Sequence, residues 1–456
     1  MTGFERRSNL ANTVWPPVFT GDSAVLAAFM SELDATQWLD KTVLEQKQAQ
    51  QLAVLLHHHS THSAHFQGRL RRAGLKSKDI ADIRKLGRLP AISRRDVQAA
   101  GDTFFAKSVP PTHLPIGTIK TSGSTGEPVA LRKTAINRLF WSALTVRDHM
   151  WNGRDPKGRM TSIRANLPSY VEAKDWGSPM QNLYDTGAAQ GIPITTDIAE
   201  QLRLIKTFQP QVLIIYPTNL AAFVSIWERD GFRLDCLRHI KTIGETVSAK
   251  LRESVRKATG LRIEDNYSSQ EAGPIAIQCE RNGAYHIQSE SLVVEILDDD
   301  GWPCKEGEVG RVVITDLHNL ASPVIRYDIG DFAEAGAACS CGRGLPTLNR
   351  ILGRERNLVV LPNGERHWPL VGFHRFDEIA EIRQYQLIQH TLSDIELKIA
   401  VNSDLPVAKL DALAKIVQDA LGHPFCITVK QSTQRLAPNQ NGKFEEFISL
   451  VKRMPT

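Results

Sequence analysis

Thr121-Ser122-Gly123-Ser124-Thr125-Gly126-Glu127-Pro128 follows a short β-prone run, Gly117 to Lys120, and the meaning of this octet decides the fold. Its glycines let backbone N–H groups approach an anion closely, and its hydroxyls add donors suited to phosphate oxygens. A Walker-type loop would close on Gly-Lys-Ser/Thr, and that lysine is absent here. The plain alternative is a polar hairpin turn, since Ser, Gly and Thr are common turn residues. Context has to decide between the two.

Around the octet the chain changes texture. Residues 23–100 have helical apolar spacing, broken near the end by Leu86-Gly87-Arg88-Leu89-Pro90. From about residue 115, short strands (Gly117 to Lys120, Val212 to Tyr216, Ile240 to Ile243, Leu261 to Ile263) alternate with amphipathic helices at Ile198 to Phe208 and Ala249 to Thr259. Such alternation predicts α/β layering on largely parallel strands. After Ala284, meander-like strands are expected at Ser291 to Leu297, Arg311 to Thr315 and Pro323 to Tyr327, parted by turns such as Asp298-Asp299-Asp300-Gly301. Residues 354–456 read as a small α+β unit.

Composition narrows the function classes. A chain of 456 residues suits two or three domains, and 42% hydrophobic with 23% charged residues is ordinary for a soluble protein. A net charge of +5 without a dense basic stripe argues against nucleic acid as a partner. No apolar run approaches the roughly 20 residues of a membrane span. The first residues lack the apolar core of a signal peptide. Six cysteines in so long a chain do not make a disulfide framework. The expectation is a cytoplasmic α/β protein.

Five further features follow the octet in order: Thr242-Ile243-Gly244-Glu245-Thr246, Asn266-Tyr267-Ser268-Ser269-Gln270-Glu271, Arg326-Tyr327-Asp328-Ile329-Gly330-Asp331, Gly353-Arg354 and Pro438-Asn439-Gln440-Asn441-Gly442-Lys443. Each alone is an ordinary loop; together they resemble the superfamily of acyl-CoA synthetases, luciferases and peptide-synthetase adenylation domains. Gln51 to Leu75 with Leu89-Pro90 and Ser93-Arg94-Arg95-Asp96 is similar to its phenylacetate–CoA ligase branch. The resemblance covers the chain from about residue 50. It implies a large multi-sheet N-terminal adenylation domain (1–353) and a small α+β C-terminal lid domain (354–456), with ATP and a carboxylic acid bound between them.

By that resemblance Thr121, Ser122, Gly123, Ser124, Thr125 and Gly126 form the phosphate loop over ATP. Gly244 and Glu245, with Asn266 and Tyr267, form the adenine slot, and Ser268 continues it. Glu271 holds Mg²⁺, Asp331 accepts the ribose hydroxyls, and Arg354 begins the hinge. Lys443 bridges the attacking carboxylate and the α-phosphate, so Lys443 and Glu271 are the catalytic candidates. The implied reaction forms an acyl-AMP from a carboxylic acid, releases pyrophosphate and passes the acyl group to coenzyme A; candidate pocket walls at Tyr216, Pro217, Ile243 and Ser268 to Ala272 suggest a small or flat acid, aromatic or heteroaromatic. An amine or a carrier protein is the alternative acceptor. A degenerate zinc-stapled binding protein is the rival from another class, opposed by Glu271, Asp331 and Lys443 standing together.

The chain also departs from the family pattern. Val129 replaces the lysine that usually follows the phosphate-loop proline, leaving Arg132 or Lys133 to compensate. Ser268 replaces a glycine, Gln270 a threonine, and Arg356 a hinge aspartate.

Two clusters remain. Cys279, His286, Cys339 and Cys341 supply three thiolates and an imidazole, a tetrahedral structural zinc set if the loops meet. Some relatives in the resembled branch carry a similar set; otherwise these are four unrelated residues. His57, His58, His59, His62 and His65 are read as a polar helix face rather than as metal ligands.

Overall fold

The computed structural model describes residues 4–120, 129–231, 233–354, 359–363, 366–367, 376, 378–421, 423–437 and 444–451. The chain opens with helices α1 (Gly21–Thr36), α2 (Lys41–His62), α3 (Ala64–Arg72) and α4 (Arg94–Ala100). Each boundary after the first has a local cause. The Asp40 carboxylate accepts from the Val43 N–H, Ser63 from that of Phe66, and Ser93 with Asp96 closes a capping box. Leu52, Leu55, Leu56, Phe66 and Leu70 pack on Leu317, Leu320 and Ile325, so the helical segment is a cover on a later loop.

Strands β1 (Gly117–Lys120) and β2 (Ala130–Lys133) pair antiparallel, Gly117 opposite Lys133 and Lys120 opposite Ala130. Helix α5 (Ala135–Trp151) leads into β3 (Met160–Arg164), β4 (Val171–Ala173), β5 (Ala189–Pro193), α6 (Ile198–Phe208), β6 (Val212–Ile215), α7 (Pro217–Asp230), β7 (His239–Thr242), α8 (Ala249–Thr259) and β8 (Ile263–Glu264). These strands form one sheet in the order β4-β5-β3-β6-β7-β8, parallel except for β4. The helices at 198–208 and 249–259 fall where the sequence places them. Gly260, at φ +75°, ends α8 in the left-handed cap that glycine adopts without strain.

A seven-stranded antiparallel sheet follows: β9 (Asn266–Ser269), β10 (Gly273–Gln278), β11 (Tyr285–Ile287), β12 (Leu292–Leu297), β13 (Val309–Asp316), β14 (Tyr327–Ala335) and β15 (Thr347–Arg354). One expectation fails here. Pro323 to Tyr327 is not a strand, and the strand starts only at Tyr327. Asn319 Oδ1 caps the N–H groups of Ala321 and Ser322, and tight turns join Val324 to Ser322 and Ile325 to Pro323. Arg326 sits at φ +49°, a strained position for a non-glycine residue. Its guanidinium donates to the carbonyls of Gly87 and Leu89 at 2.8 and 2.6 Å and lies 3.0 Å from Glu295, which holds that conformation.

The short β16 (Val359–Val360) and β17 (Arg366–His367) pair with each other. Then β18 (Ile382–Gln389), β19 (Asp394–Val401), α9 (Val407–Leu421), β20 (Cys426–Ser432) and β21 (Phe447–Ser449) build a four-stranded sheet backed by α9. Leu387, Leu397, Leu413, Val417 and Phe447 share a core of their own. The fold is therefore mixed α/β, a large multi-sheet unit followed by a small α+β unit. Among the described residues no helix is long and apolar enough to cross a membrane.

Two successive residues of α5 join the two large sheets. The buried Arg147 lies 2.9 Å from Glu290 and donates to Gln288 at 2.8 Å, on the antiparallel side. Asp148 lies 2.8 Å from Arg154, which also meets Glu264 of β8 at 2.7 Å, and Lys241 of β7 closes on the same Asp148 oxygen. Burial opposes charge on Asp148, yet Arg154 and Lys241 hold its carboxyl well below the usual carboxylate range. Removing one member of such a cluster strands a buried charge. Arg154→Met should therefore lower stability by about 3–5 kcal/mol, read from the shift in urea midpoint. A loss within that of an exposed pair, below about 1 kcal/mol, would contradict the assignment.

Candidate active site

The carboxyl ends of parallel strands are the usual ligand crevice of α/β sheets. Here they open on a cleft of about 2130 Å³ shared by the large unit and the C-terminal unit. Gly244, Glu245, Asn266, Tyr267, Ser268, Glu271, Asp331 and Arg354 all line it. Thr121, Ser122, Gly123, Ser124, Thr125, Gly126 and Lys443 lie outside the described residues, as does Arg356.

Gly244 follows β7 at φ +79°, and a Cβ there would stand 2.7 Å from a ring carbon of Tyr216. Only glycine fits. The Glu245 carboxylate accepts from the Thr218 N–H at 3.0 Å and its hydroxyl at 2.5 Å. Its other oxygen accepts from the Phe444 N–H at 3.1 Å, across the cleft. Arg435 adds a second crossing bond, donating to the Thr218 carbonyl at 3.0 Å. The residue that follows Lys443 in sequence is thus fastened to the loop that holds Gly244.

At the other corner, the Tyr267 hydroxyl donates to Asp331 at 2.7 Å, and Arg354 Nε lies 3.4 Å from the second carboxylate oxygen. The β14–β15 register sets Asp331 opposite Arg354. Burial and the Asp331 charge push the Tyr267 phenol well above its usual pKa, so it remains a donor. Glu271 is buried, and among the described residues nothing donates to its carboxylate. Its carbonyl is held by Lys133 Nζ, which also meets Asp316 at 2.9 Å. Lys133 is therefore a buried tie and not a substitute for the missing phosphate-loop lysine. Val129 is buried in the core. Arg132 lies over the Phe105 ring at 4.1 Å, half-exposed.

Away from the cleft, Cys279, His286, Cys339 and Cys341 are all buried, with their ligand atoms within 4.8 Å of one another. The Cys339 and Cys279 sulfurs stand 3.7 Å apart, and Cys341 Sγ lies 3.3 Å from His286 Nε2. A tetrahedral site with metal–sulfur bonds of about 2.3 Å has edges of roughly 3.8 Å, so the donors already have the right spacing. Burial pushes His286 down to about 4, leaving a neutral imidazole that can ligate. The other histidine cluster is not a solvated face. His58 and His59 of α2 meet the carbonyls of Leu320 and Asn319 at 2.8 and 2.9 Å, and His59 is fully buried. They stitch the helical cover to the loop before β14.

The sequence reading passed over two cleft residues. Trp141 of α5 is 42% exposed, with its ring against Gly273, and Arg164 ends β3. The signal for Arg164 was its place at the carboxyl end of a central parallel strand.

No protein-family model matches the chain. It is similar to the phenylacetate-coenzyme A ligase of Thermus thermophilus, 25% identical over 422 residues, covering 84% of this chain and 91% of that protein. The Escherichia coli phenylacetate-coenzyme A ligase is 23% identical over 347 residues, covering 73% and 76%. Among solved structures, 2-hydroxyisobutyryl-CoA ligase in its postadenylation state, complexed with R3-HIB-AMP, aligns at a TM-score of 0.71 and 15% identity over 91% of each chain. The same enzyme with 2-HIB-AMP and CoA in its thioesterification state aligns at 0.59 and 17% identity, again over 91% of each.

Lys133 and Arg132 give a contrast that checks the ties at this site. Lys133→Met should cost about 3–5 kcal/mol, because Asp316 is left buried and unpaired. Arg132→Met should cost no more than about 1 kcal/mol, as for exposed pairs. Equal effects of the two on the denaturation midpoint would refute the buried tie.

Proposed function

This chain is an adenylate-forming enzyme of the phenylacetate–CoA ligase-like branch, and we propose that it activates a carboxylic acid with ATP as an acyl-AMP, then passes the acyl group to coenzyme A. The observation that carries the proposal is the bond from the Phe444 N–H to Glu245. It puts the neighbour of Lys443 in the cleft that Tyr267, Glu271 and Asp331 line.

In this reading Tyr267 packs on the adenine while its hydroxyl orients Asp331. Asp331, oriented by its donors, accepts the ribose hydroxyls as charge-assisted bonds. Gly244 lets the Tyr216 ring close on the backbone beside the base. The residues Thr121 to Gly126 hold the β- and γ-phosphates. Glu271 would hold Mg²⁺, a hard cation that neutralises phosphate oxygens when bound. The acid carboxylate attacks the α-phosphorus, and pyrophosphate leaves. Both reactants are anionic, so a lysine placed between them stabilises the transition state electrostatically, and Lys443 has that role. Residues 354–456 then turn about Arg354, taking Lys443 away and admitting the thiol. The better alignment with a postadenylation structure than with a thioesterification structure supports the first pose.

Acid-dependent pyrophosphate release should become sustained turnover when coenzyme A is added. Lys443→Ala should slow adenylation by roughly 10²–10³ while sparing thioester formation from supplied acyl-AMP. If an amine and not coenzyme A sustains turnover, the acceptor is an amine. Equal loss of both half-reactions would remove the rotation.

Cys279, His286, Cys339 and Cys341 are assigned to a structural zinc ion, which would staple the β10–β11 turn to the β14–β15 loop. Purified protein should hold about one zinc per chain. Cys341→Ser should lower the melting temperature more than it weakens ATP binding. Metal-free protein of unchanged melting temperature, isolated without chelators, would dismiss zinc.

A further inference from the structure

The wall of the cleft beneath Tyr216 carries a cation that the nucleotide chemistry does not use. Arg164 is the last residue of β3, and its guanidinium faces the cleft together with Trp141 and Thr145 of α5. Its Nε donates to the Ser162 hydroxyl at 2.5 Å. Among the described residues no carboxylate stands within ion-pair distance of it. Neighbouring charges are already matched: Lys241 is paired with Asp148, Asp265 accepts from Tyr285 at 2.7 Å, and Glu245 accepts from Thr218. Burial pulls the guanidinium below its ordinary pKa, the signature of a cation held without a counter-charge. A half-buried, unneutralised guanidinium is costly to keep, and it is a forked donor matched to a carboxylate.

Its position separates it from ATP. In the parallel sheet β6 lies between β3 and β7, so Arg164 stands about 10 Å along the sheet from the strand that leads into Gly244. Tyr267, Asp331 and Arg354 belong to the other sheet. Tyr216 stands beside Arg164, and the Trp141 ring adds an apolar wall to the same cleft. We propose that Arg164 is a specificity residue that binds a second carboxylate on the acid substrate, at the end remote from the carboxylate that reacts. The substrate is thus a dicarboxylic acid with an apolar, flat or short spacer. This rests on the adenylation reading given above, whose reactive end it leaves unchanged.

The test titrates wild type, Arg164→Met and Arg164→Lys with matched acids in the presence of a non-hydrolysable ATP analogue. The pairs are phenylacetate with 1,4-phenylenediacetate, benzoate with terephthalate, and butyrate with glutarate. Calorimetric binding and pyrophosphate release with ATP are both read. At least one dicarboxylate should bind wild type roughly 10- to 100-fold more tightly than its monoacid partner, the usual worth of a hydrogen bond to a charged group. Arg164→Met should abolish that preference, and Arg164→Lys should keep part of it. Monoacids binding as well as diacids, a preference that survives Arg164→Met, or equal weakening of both acid types would each overturn the proposal. The last result would put Arg164 at the reactive carboxylate or the phosphates. Should Arg164→Met fail to fold, the wild-type preference and Arg164→Lys still decide it. A dicarboxylate that binds through Arg164 without pyrophosphate release would sink the adenylation reading alone.

Discussion

The architecture hangs on two adjacent residues of one helix. Arg147 and Asp148 are about 100° apart around α5, so one faces the antiparallel sheet and the other the parallel sheet. Each is buried, and each meets opposite charge on its own side: Glu290 for Arg147, Arg154 and Lys241 for Asp148. A buried ion pair contributes little net stability but a great deal of position, because sliding either partner away leaves an uncompensated charge. The sheets are thereby held at one separation, and the cleft they frame inherits that rigidity. Trp141 and Thr145, further up the same helix, are cleft walls for this reason.

The C-terminal unit is attached in a different manner. Its core is self-contained around Leu387, Leu397, Leu413 and Phe447. Phe444 to Glu245 and Arg435 to Thr218 are hydrogen bonds at the rim of a wet cleft, involving one backbone N–H and one long side chain. Such contacts exchange with water at small net cost, whereas the α5 clusters do not. That difference suits the two-pose reaction proposed above: a fixed platform and a second body whose bonds to it are replaceable.

The sequence was most legible where function constrains the backbone. Gly244 was singled out by its motif, and the Tyr216 ring shows why no Cβ fits there. The order of Asn266, Tyr267, Glu271, Asp331 and Arg354 pointed to one site, and all five line one cleft. Legibility failed where long-range pairing overrides local pattern. Pro323 to Tyr327 has strand-like composition, but Arg326 takes up a left-handed conformation to reach carbonyls at Gly87 and Leu89, far away in sequence. His59 looked like part of a polar face, and its carbonyl partner lies beyond residue 300. Lys133 looked available for phosphate because nothing nearby in sequence shows Asp316 behind it.

That last misreading bears on mechanism. Phosphate chemistry needs positive charge close to the nucleotide, and the usual loop lysine is Val129, a core residue. Lys133 is spent on Asp316 and on the Glu271 carbonyl, and Arg132 lies over Phe105. Arg354 already leans on Asp331 at the ribose corner. These three cations of the large unit are thus committed, whereas Arg164 faces the cleft with no carboxylate at ion-pair distance among the described residues. In the proposed reaction part of the balancing charge comes with the C-terminal unit, on the segment that Phe444 anchors. Adenylation is then coupled to closure by electrostatics: with that unit swung away, the carboxylate and the α-phosphate lack the lysine placed between them. A family member with a loop lysine can screen part of that repulsion from the platform itself. In the proposed reaction this chain, with a buried valine in that place, would depend more heavily on the closed pose for its first half-reaction.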